Sequence, residues 1–564
     1  MRNIMVVDCK STGINYIGDI VNRRYNPVVL QLKLVKGNEE TEKKELETCY
    51  SNISDKFDII HEKDTYEETL EEVRKYDPKV IVAGSEHGVI LATKLANDLN
   101  ILCNPIENMD YFTFKDKMQE KIAEAGLRHI RGKAVRSLEE AIEYYDTESF
   151  EDVVIKPVYG AASVGVFICL NKQEMIDAIN ELSNLTNIYG EKIEEFVVRE
   201  RIKGDEYYVN TCSCDGVHQV SLIWKYGKVK TAEGGIIYDT IETVNELGIG
   251  ESEMVEYAYK VTDALGIKYG PVHGEYMIDD KGPVLIEVNC RPAGCSMPAE
   301  YLDMIAGHHE TDLFLDSYLK PKRFHERRKK RYRLLAHGAL KIFIVPNDIV
   351  ARSTPMNNIS PKLKSFYKSN LADINNTEIF YVKTQDLGTT CGYIYMVHED
   401  AAVLHNDLEF LRSVEKNAFS LVLSEEDTDY VVDEDKIIKE IKEVVDITEE
   451  YGTGLLITDK FLDESEIVQI AIDDVNEING EFDYVIINLN KSLIDKRDDI
   501  TVEIILNILS NIRVGGLVYV PKTTYNFLPD KRKGIEALIK TLGLRIEVPP
   551  HGITEGVIAS KERI

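Results

Sequence analysis

The chain is expected to be a multidomain α/β and α+β protein, and three observations predict it. Residues 1–113 alternate short apolar runs with helical stretches, strands crowd together from 114 onward, and the α/β rhythm returns from about 430. At 564 residues the chain is too long for a single core, so about three or four lobes are the starting expectation.

The first region carries apolar runs at Ile4–Val7, Val28–Leu34, Phe57–Ile60, Val80–Ala83 and Ile101–Cys103. Between them lie GINYIGDIVNRRY, TYEETLEEVRKY and GVILATKLANDLN, which makes a parallel βαβα layer. Ser11-Thr12-Gly13 offers a lone glycine after the first run, so no GxGxxG dinucleotide loop is present there. From 114, KDKMQEKIAEAGL predicts a helix closing on Gly126. Strands are expected at Val153–Lys156, Val164–Leu170, Phe196–Glu200, Tyr207–Cys212 and His218–Lys225, as antiparallel sheet running to about 320. A mixed stretch, 333–425, follows with strands Leu340–Val345 and Gly392–Val397. The last region holds FDYVIINLNKSL, helices at 501–511 and near 531–541, RVGGLVYVP, LGLRIEVPP and GVIAS. The resulting boundaries are 1–113, 114–320, 321–429 and 430–564.

A net charge of −30 leaves no basic footprint for nucleic acid. The exception, KPKRFHERRKKRYR at 320–333, is expected to be a solvated connector rather than an RNA-binding arm. Nine cysteines without a CxxC pair predict reduced thiols and no zinc site. MRNIMVVDCK reads as a short strand rather than a leader, and no apolar run approaches the length of a membrane span. A cytoplasmic protein with small-molecule substrates, no nucleic-acid or membrane partner and room for a homodimer is the expectation.

Residues 274–291, GEYMIDDKGPVLIEVNCR, predict a β-hairpin. With a three-residue turn at Asp280–Gly282, Asp279 faces Pro283 and Glu275 stands opposite Glu287, with Asn289 on the same face. Two carboxylates facing each other repel, so the chain must supply positive charge. Lys156 ends the apolar strand VVIK, and Lys117 lies early on the 115–125 helix, with Lys115 as the competing choice. The loop PVYGAASVGV at 157–166 brings Gly160, Ser163 and Gly165 between two strands, where backbone N–H groups can approach an anion. In EFVVRERIKGDEYYVN a strand runs into a Lys203-Gly204-Asp205 turn, and Glu206 heads the next strand.

Lysines, small-residue loop, strand-turn-glutamate and acidic hairpin, in that order, resemble the ATP-grasp superfamily over roughly 114–320. The preceding layer then resembles the domain that usually comes before an ATP-grasp module, and 333–425 its closing lobe. The resemblance implies that Lys117 and Lys156 contact phosphates and that Gly160, Ser163 and Gly165 form the lid. Glu200 and the Ile202 backbone would read adenine, and Glu206 would hold the ribose of ATP. Glu275, Glu287 and Asn289 would bind two Mg²⁺ or Mn²⁺ ions, Glu287 being shared. Arg199 stands where many relatives carry Glu, which leaves the adenine contacts open.

The resemblance to amino-acid-ligating members implies that Arg291 steadies charge developing on the transferring group, a structural salt bridge being the alternative. It also places Lys228, in IWKYGKVKTAEGGIIYDT, near the phosphates, with Thr231–Gly235 as a mobile cover. It makes Glu86 a candidate for the amino group of one substrate, and places Ser296 on the substrate side. His87 and His273 are expected to be structural. The implied activity is ATP-dependent ligation of two L-amino acids through an acyl phosphate. Biotin-dependent carboxylases, purine-type ligases and a non-enzymatic ATP sensor are the competing classes. The region 430–564 resembles the second half of a Rossmann-like methyltransferase. Gly452-Thr453-Gly454 is its only candidate cofactor loop and has no strand before it, so a degenerate, non-catalytic copy is expected.

Overall fold

The computed structural model describes residues 2–33, 56–159, 165–185, 192–230, 236–328, 331–346, 348–351, 360–371, 379–385 and 389–418. Beyond these it describes 452–458, 467–471, 481–487, 511–520, 544–547, 557–561 and isolated positions elsewhere. The chain divides into two compact units, one of Met1–Ala339 with Asp386–Gly388, the other of Leu340–Gln385 with Thr389–Ile564.

The first unit opens on strands β1 (Asn3–Val7), β2 (Asn26–Gln31), β3 (Asp58–His61) and β4 (Pro78–Ala83), parallel and ordered β3-β2-β1-β4. Their near-continuous apolar sequence suits burial on both faces. Helices α1 (Asn15–Asn22), α2 (Tyr66–Arg74) and α3 (Gly88–Asp98) cross between them. Helix α2 begins with a Thr65–Glu68 capping box, and α1 buries Tyr16, Ile17 and Ile20 along one stripe. The expected strand at Ile101–Cys103 is coil. Three apolar residues there meet no neighbouring strand, and Asn104 instead bonds the Lys268 and Tyr269 backbone at 2.8–3.0 Å.

Helix α4 (Lys115–Glu124) follows and ends before Gly126, whose φ is +70°. A small sheet of β5 (Gly132–Val135), β6 (Val153–Pro157), β7 (Phe167–Cys169) and β8 (Phe196–Glu200), ordered β5-β8-β6-β7, carries helices α5 (Leu138–Glu148) and α6 (Lys172–Leu182). The larger sheet runs β13-β12-β9-β10-β11 through β9 (Asp205–Cys214), β10 (Val217–Lys230), β11 (Ile236–Thr243), β12 (Gly270–Asp279) and β13 (Gly282–Asn289). All its neighbours within this run are antiparallel, as expected. One core links the parallel layer (Met5, Val28), α4 (Met118, Ile122), α7 (Ile249–Ala264) and the large sheet (Val209, Val272, Leu285).

Helices α8 (Ala299–Ala306), α9 (Glu310–Leu319) and α10 (Pro321–Arg328) close the unit. The basic run is therefore partly helix rather than a free connector. Phe324 is buried, and Arg323 and Arg327 pair with Asp316 and Asp312 at 3.1 and 2.5 Å. These two arginines meet acids of α9, one of which, Asp316, has a fully buried side chain. Arg23, capping the C-terminus of α1, reaches the same two acids. His309 bonds Asp19 of α1 and Asp303, each at 2.9 Å. Burial opposes the imidazolium, but Asp19 and Asp303 outweigh it and raise His309 to about 9. Stability from this pair is complete below pH 6.5 and is lost as pH climbs through 9. Wild type should thus lose about 3 kcal/mol over that range relative to His309→Gln, read by denaturant unfolding. Parallel wild-type and variant profiles would remove His309 from the account.

In the second unit, past β14 (His337–Ile342), β15 (Ile349–Ala351) pairs with β17 (Ile379–Tyr381), and β16 (Phe366–Ser369) with β18 (Tyr393–His398). Helix α11 (Ala401–Ala418) brings Glu415 to the buried Lys341 ammonium at 2.8 Å. A further sheet follows, built from β19 (Gly454–Ile457), β20 (Val468–Ile470), β21 (Phe482–Ile487), β22 (Ile512–Val520), β23 (Leu544–Glu547) and β24 (Val557–Lys561). Its order is β20-β19-β21-β22-β24-β23. The first four are parallel, and β24 is antiparallel to both its neighbours. The helices expected at 501–511 and 531–541 fall almost wholly outside the described residues.

Candidate active site

The β12–β13 hairpin sets the chemistry through its register. Its turn is two residues, not three: Asp279 pairs with Gly282, whose φ of +95° suits glycine. That count alone would set Glu275 opposite Ile286. A bulge between the Tyr276–Leu285 and Glu275–Glu287 pairs adds the missing residue, so the two carboxylates do face each other. The bulge leaves backbone carbonyls to be satisfied. Gln119 donates to Leu285 O at 2.9 Å, and Arg199 donates to Ile286 O at 3.3 Å and to Lys115 O. Asp279 is clamped by both Arg128 nitrogens at 2.6–2.7 Å.

The positive charge required by the facing glutamates comes from two lysines. Lys156, at the end of β6, stands 3.2 Å from Glu287 Oε2, and Lys115, at the start of α4, stands 3.3 Å from the same atom. Burial works against the Glu287 carboxylate, but Lys115 and Lys156 overcome it and hold the group well below the usual range. Burial pushes Lys156 down to about 8 and Arg199 down to about 10. Of the two helix lysines, Lys115 is the one brought here. Lys117, two residues and about 200° round the helix from Lys115, pairs with Asp110 on a half-exposed face away from the hairpin.

The remaining residues singled out from sequence divide between this face and its surroundings. Gly160, Ser163 and Thr231–Gly235 lie outside the described residues. Gly165 has φ +71°, and a Cβ there would sit 2.7 Å from Leu182 Cδ2. The Glu200 carboxylate is taken by Arg131, through its N–H at 2.9 Å and Nε at 3.1 Å. Ile202 sits half-buried in the β8–β9 connection. Glu206 is buried on β9 and accepts from Lys228 and from Tyr238 Oη at 3.2 Å. Burial raises its pKa against the pull of Lys228. Tyr226 Oη lies 3.4 Å from Glu275 Oε1, a contact the sequence did not announce.

Beyond Asn289 the chain reaches the parallel layer. Arg291 Nε donates to Glu86 Oε2 at 3.0 Å. The Asn289 amide, turned so that its nitrogen faces Glu86, donates to the two Glu86 oxygens at 2.9 and 3.1 Å. The following loop holds Cys295 and Ser296 at φ 62° and 44°, a pair of left-handed non-glycine residues. Ser296 N donates to Ser11 Oγ at 3.0 Å, and Thr12 Oγ1 bridges Gly294 O and Met297 N. Glu86 follows β4 and Ser11 follows β1. They mark the crevice where strand order reverses, the usual ligand position of an open α/β sheet. His273 bonds Asn210 at 2.7 Å and has Glu275 at 3.5 Å; His87 stands 3.9 Å from Asp8.

Residues 149–299 match the family model described as an ATP-grasp domain. The chain carries an ATP-grasp domain. Dapdiamide A synthase of Enterobacter agglomerans is 26% identical over 373 residues, 65% of this chain and 86% of that protein. Alanine–anticapsin ligase of Bacillus subtilis is 22% identical over 258 residues, covering 42% of this chain and 53% of the relative. Among solved structures, the L-amino acid ligase of Bacillus licheniformis superposes with TM-score 0.58 at 16% identity, covering 73% of this chain and 97% of that one. At that identity the likeness concerns fold. Strands β6 to β8 and the β12–β13 hairpin lie within the matched ATP-grasp domain.

Among the described residues no group of three or more His, Cys, Asp and Glu converges as a metal cage. Glu275, Glu287 and Asn289 still suit a hard divalent cation that takes its other oxygens from phosphate and water, as Mg²⁺ commonly does. No helix among the described residues is long and apolar enough to cross a membrane.

Proposed function

We propose that this enzyme joins two L-amino acids, activating one carboxylate as an acyl phosphate with ATP and releasing ADP and phosphate. The observation that carries this reading is the run Glu287–Asn289–Arg291. It sets a lysine-flanked carboxylate, an amide and a guanidinium two residues apart, from the phosphate side to the crevice of the parallel layer. The relatives named dapdiamide A synthase and alanine–anticapsin ligase support it.

In this reading Lys115 and Lys156 hold phosphate oxygens, and Glu206 takes the ribose. The Glu200–Ile202 backbone reads the adenine edge. Glu275, Glu287 and Asn289 would hold Mg²⁺ or Mn²⁺, which supplies charge neutralisation across the phosphates. Arg291 offers positive charge where negative charge develops on the acyl carbon's oxygens. Lys228 steadies Glu206, and Glu86 orients both Arg291 and Asn289. The finer assignment is an L-aspartate–L-methionine ligase, which the whole layout with its appended last region resembles. Phosphate release with Mg·ATP against all pairs of the twenty amino acids tests both levels. Stimulation by aspartate with methionine is expected; another productive pair would change the substrates, and no productive pair would sink the ligase.

The sheet β19–β24 supports a methyltransferase-like reading of the last region. Its final strand inserts antiparallel between two earlier ones, beside a parallel run. Gly454, however, opens β19 instead of following a strand, so the glycines sit at the end opposite the ligand-binding edge of such sheets. Calorimetry of the full chain with S-adenosylmethionine should show no heat of binding. A specific micromolar signal would make the protein bifunctional.

A further inference from the structure

Glu86 and a second carboxylate, Glu310, stand near Arg291 in different states. Both Glu86 oxygens are already engaged by Asn289 and Arg291. Glu310, at the start of α9, is 2% exposed. Its Oε1 accepts from the Asn210 amide, while Oε2 is buried with no hydrogen-bond partner among the described residues. A half-satisfied buried carboxylate demands an explanation.

Its surroundings supply one. Asn210 faces His273 across the β9–β12 ladder, and Tyr208, two residues away on the same face, is opposite Glu275. Tyr208 Oη is likewise buried without a partner among the described residues, and so is the Nε1 of Trp224, whose ring stacks on Tyr208 at 6.0 Å. Three orphaned polar atoms therefore share the patch beside the carboxylate face, between Glu275 and the Arg291 loop. Burial pushes Glu310 up to about 7, against the opposing pull of the Asn210 amide, the Ala293 backbone, Arg291 and His309.

We propose that Glu310, with Tyr208, is the ammonium-binding subsite for the amino acid whose carboxylate is activated at Glu275 and Glu287. This inference rests on the ligase reading above and assigns it a substrate determinant. The spacing fits. Glu275 and His273 are two strand residues apart, ~7 Å, and Asn210 carries the line on to Glu310. An α-amino acid spans ~3 Å from carboxylate to ammonium, with a hydrogen bond of about 3 Å at each end. A charge-assisted bond from an ammonium satisfies Glu310 Oε2 in a way a neutral group cannot.

The test uses the full chain with Mg·ATP, each amino acid, and its des-amino carboxylic acid. Wild type should prefer the amino acid by ~100-fold in kcat/KM, since a buried polar site rejects an analogue lacking its partner. Glu310→Gln, nearly isosteric, should raise the amino-acid KM by about 100-fold, leave the ATP KM unchanged and erase the preference. Tyr208→Phe should erode the preference less. An unchanged KM, or amino acid and des-amino acid falling in step, overturns the assignment. Melting curves with the same compounds and no ATP separate this from the ligase reading. Amino acids that raise the melting temperature of wild type but not of Glu310→Gln support the subsite even where no pair releases phosphate. Equal shifts in both proteins, or none in either, overturn it.

Discussion

Glu287→Gln should lower ATP turnover by about three orders of magnitude, the several kcal/mol expected if this carboxylate holds the proposed cations. It should also destabilise the protein. Glu287 is the common partner of Lys115 and Lys156, both nearly buried, with Arg199 close by. Removing one member of a buried ion pair typically costs about 3–5 kcal/mol, because the remaining charge keeps its desolvation penalty. The double variant Glu287→Gln/Lys156→Met should recover part of that stability while staying inactive. Denaturant unfolding reads the first effect and phosphate release the second. Near wild-type turnover in excess Mg²⁺ would move the cation site elsewhere.

Arg291→Lys should separate nucleotide binding from amide formation. The guanidinium spans Glu86 and the Pro292 carbonyl, both at 3.0 Å, which one ammonium on a flexible stem does not reproduce. Lys115, Lys156 and the hairpin carboxylates are untouched, so ATP affinity should hold within a few-fold. Amide formation should fall roughly 10²–10³-fold, the usual loss for one donor aimed at developing charge. Calorimetric titration of nucleotide alongside product assay checks both halves. An equal loss in each would assign Arg291 to the nucleotide.

Much of this site was legible because strand periodicity is a local property. Glu275, Glu287 and Asn289 alternate along one strand pair, so their shared face follows from the period of two, and Arg291 lies two residues beyond the end of β13. The glutamate pairing was anticipated through a three-residue turn, whereas a two-residue turn plus a bulge produces it. Turn length and bulges depend on backbone satisfaction by Gln119 and Arg199, which lie far away in sequence. The choice between Lys115 and Lys117 was illegible for a related reason. Both sit in the first turn of α4, and only packing against β13 decides which side faces inward. Glu310 and Asn210 gave no signal because their meeting depends on a helix returning across the sheet after 100 residues. The run at 320–333 is largely exposed, as expected of a solvated stretch, but its helix and the pairing of Arg323 and Arg327 with Asp316 and Asp312 depend on packing against α9 and gave no local signal.

The bulge in β13 has an evolutionary consequence. Turn and bulge contribute to a single count, and the carboxylates face each other only when that count is kept. One residue gained in the turn and one lost at Ile286 would leave the constellation standing. Either change alone would shift one strand against the other and turn Glu287 out of line. Insertions and deletions in this hairpin should therefore be tolerated in compensating pairs. An alignment of homologues that slides a gap freely between 280 and 286 would equate residues that occupy opposite faces. Placing gaps by strand register instead keeps the column of Glu287 intact.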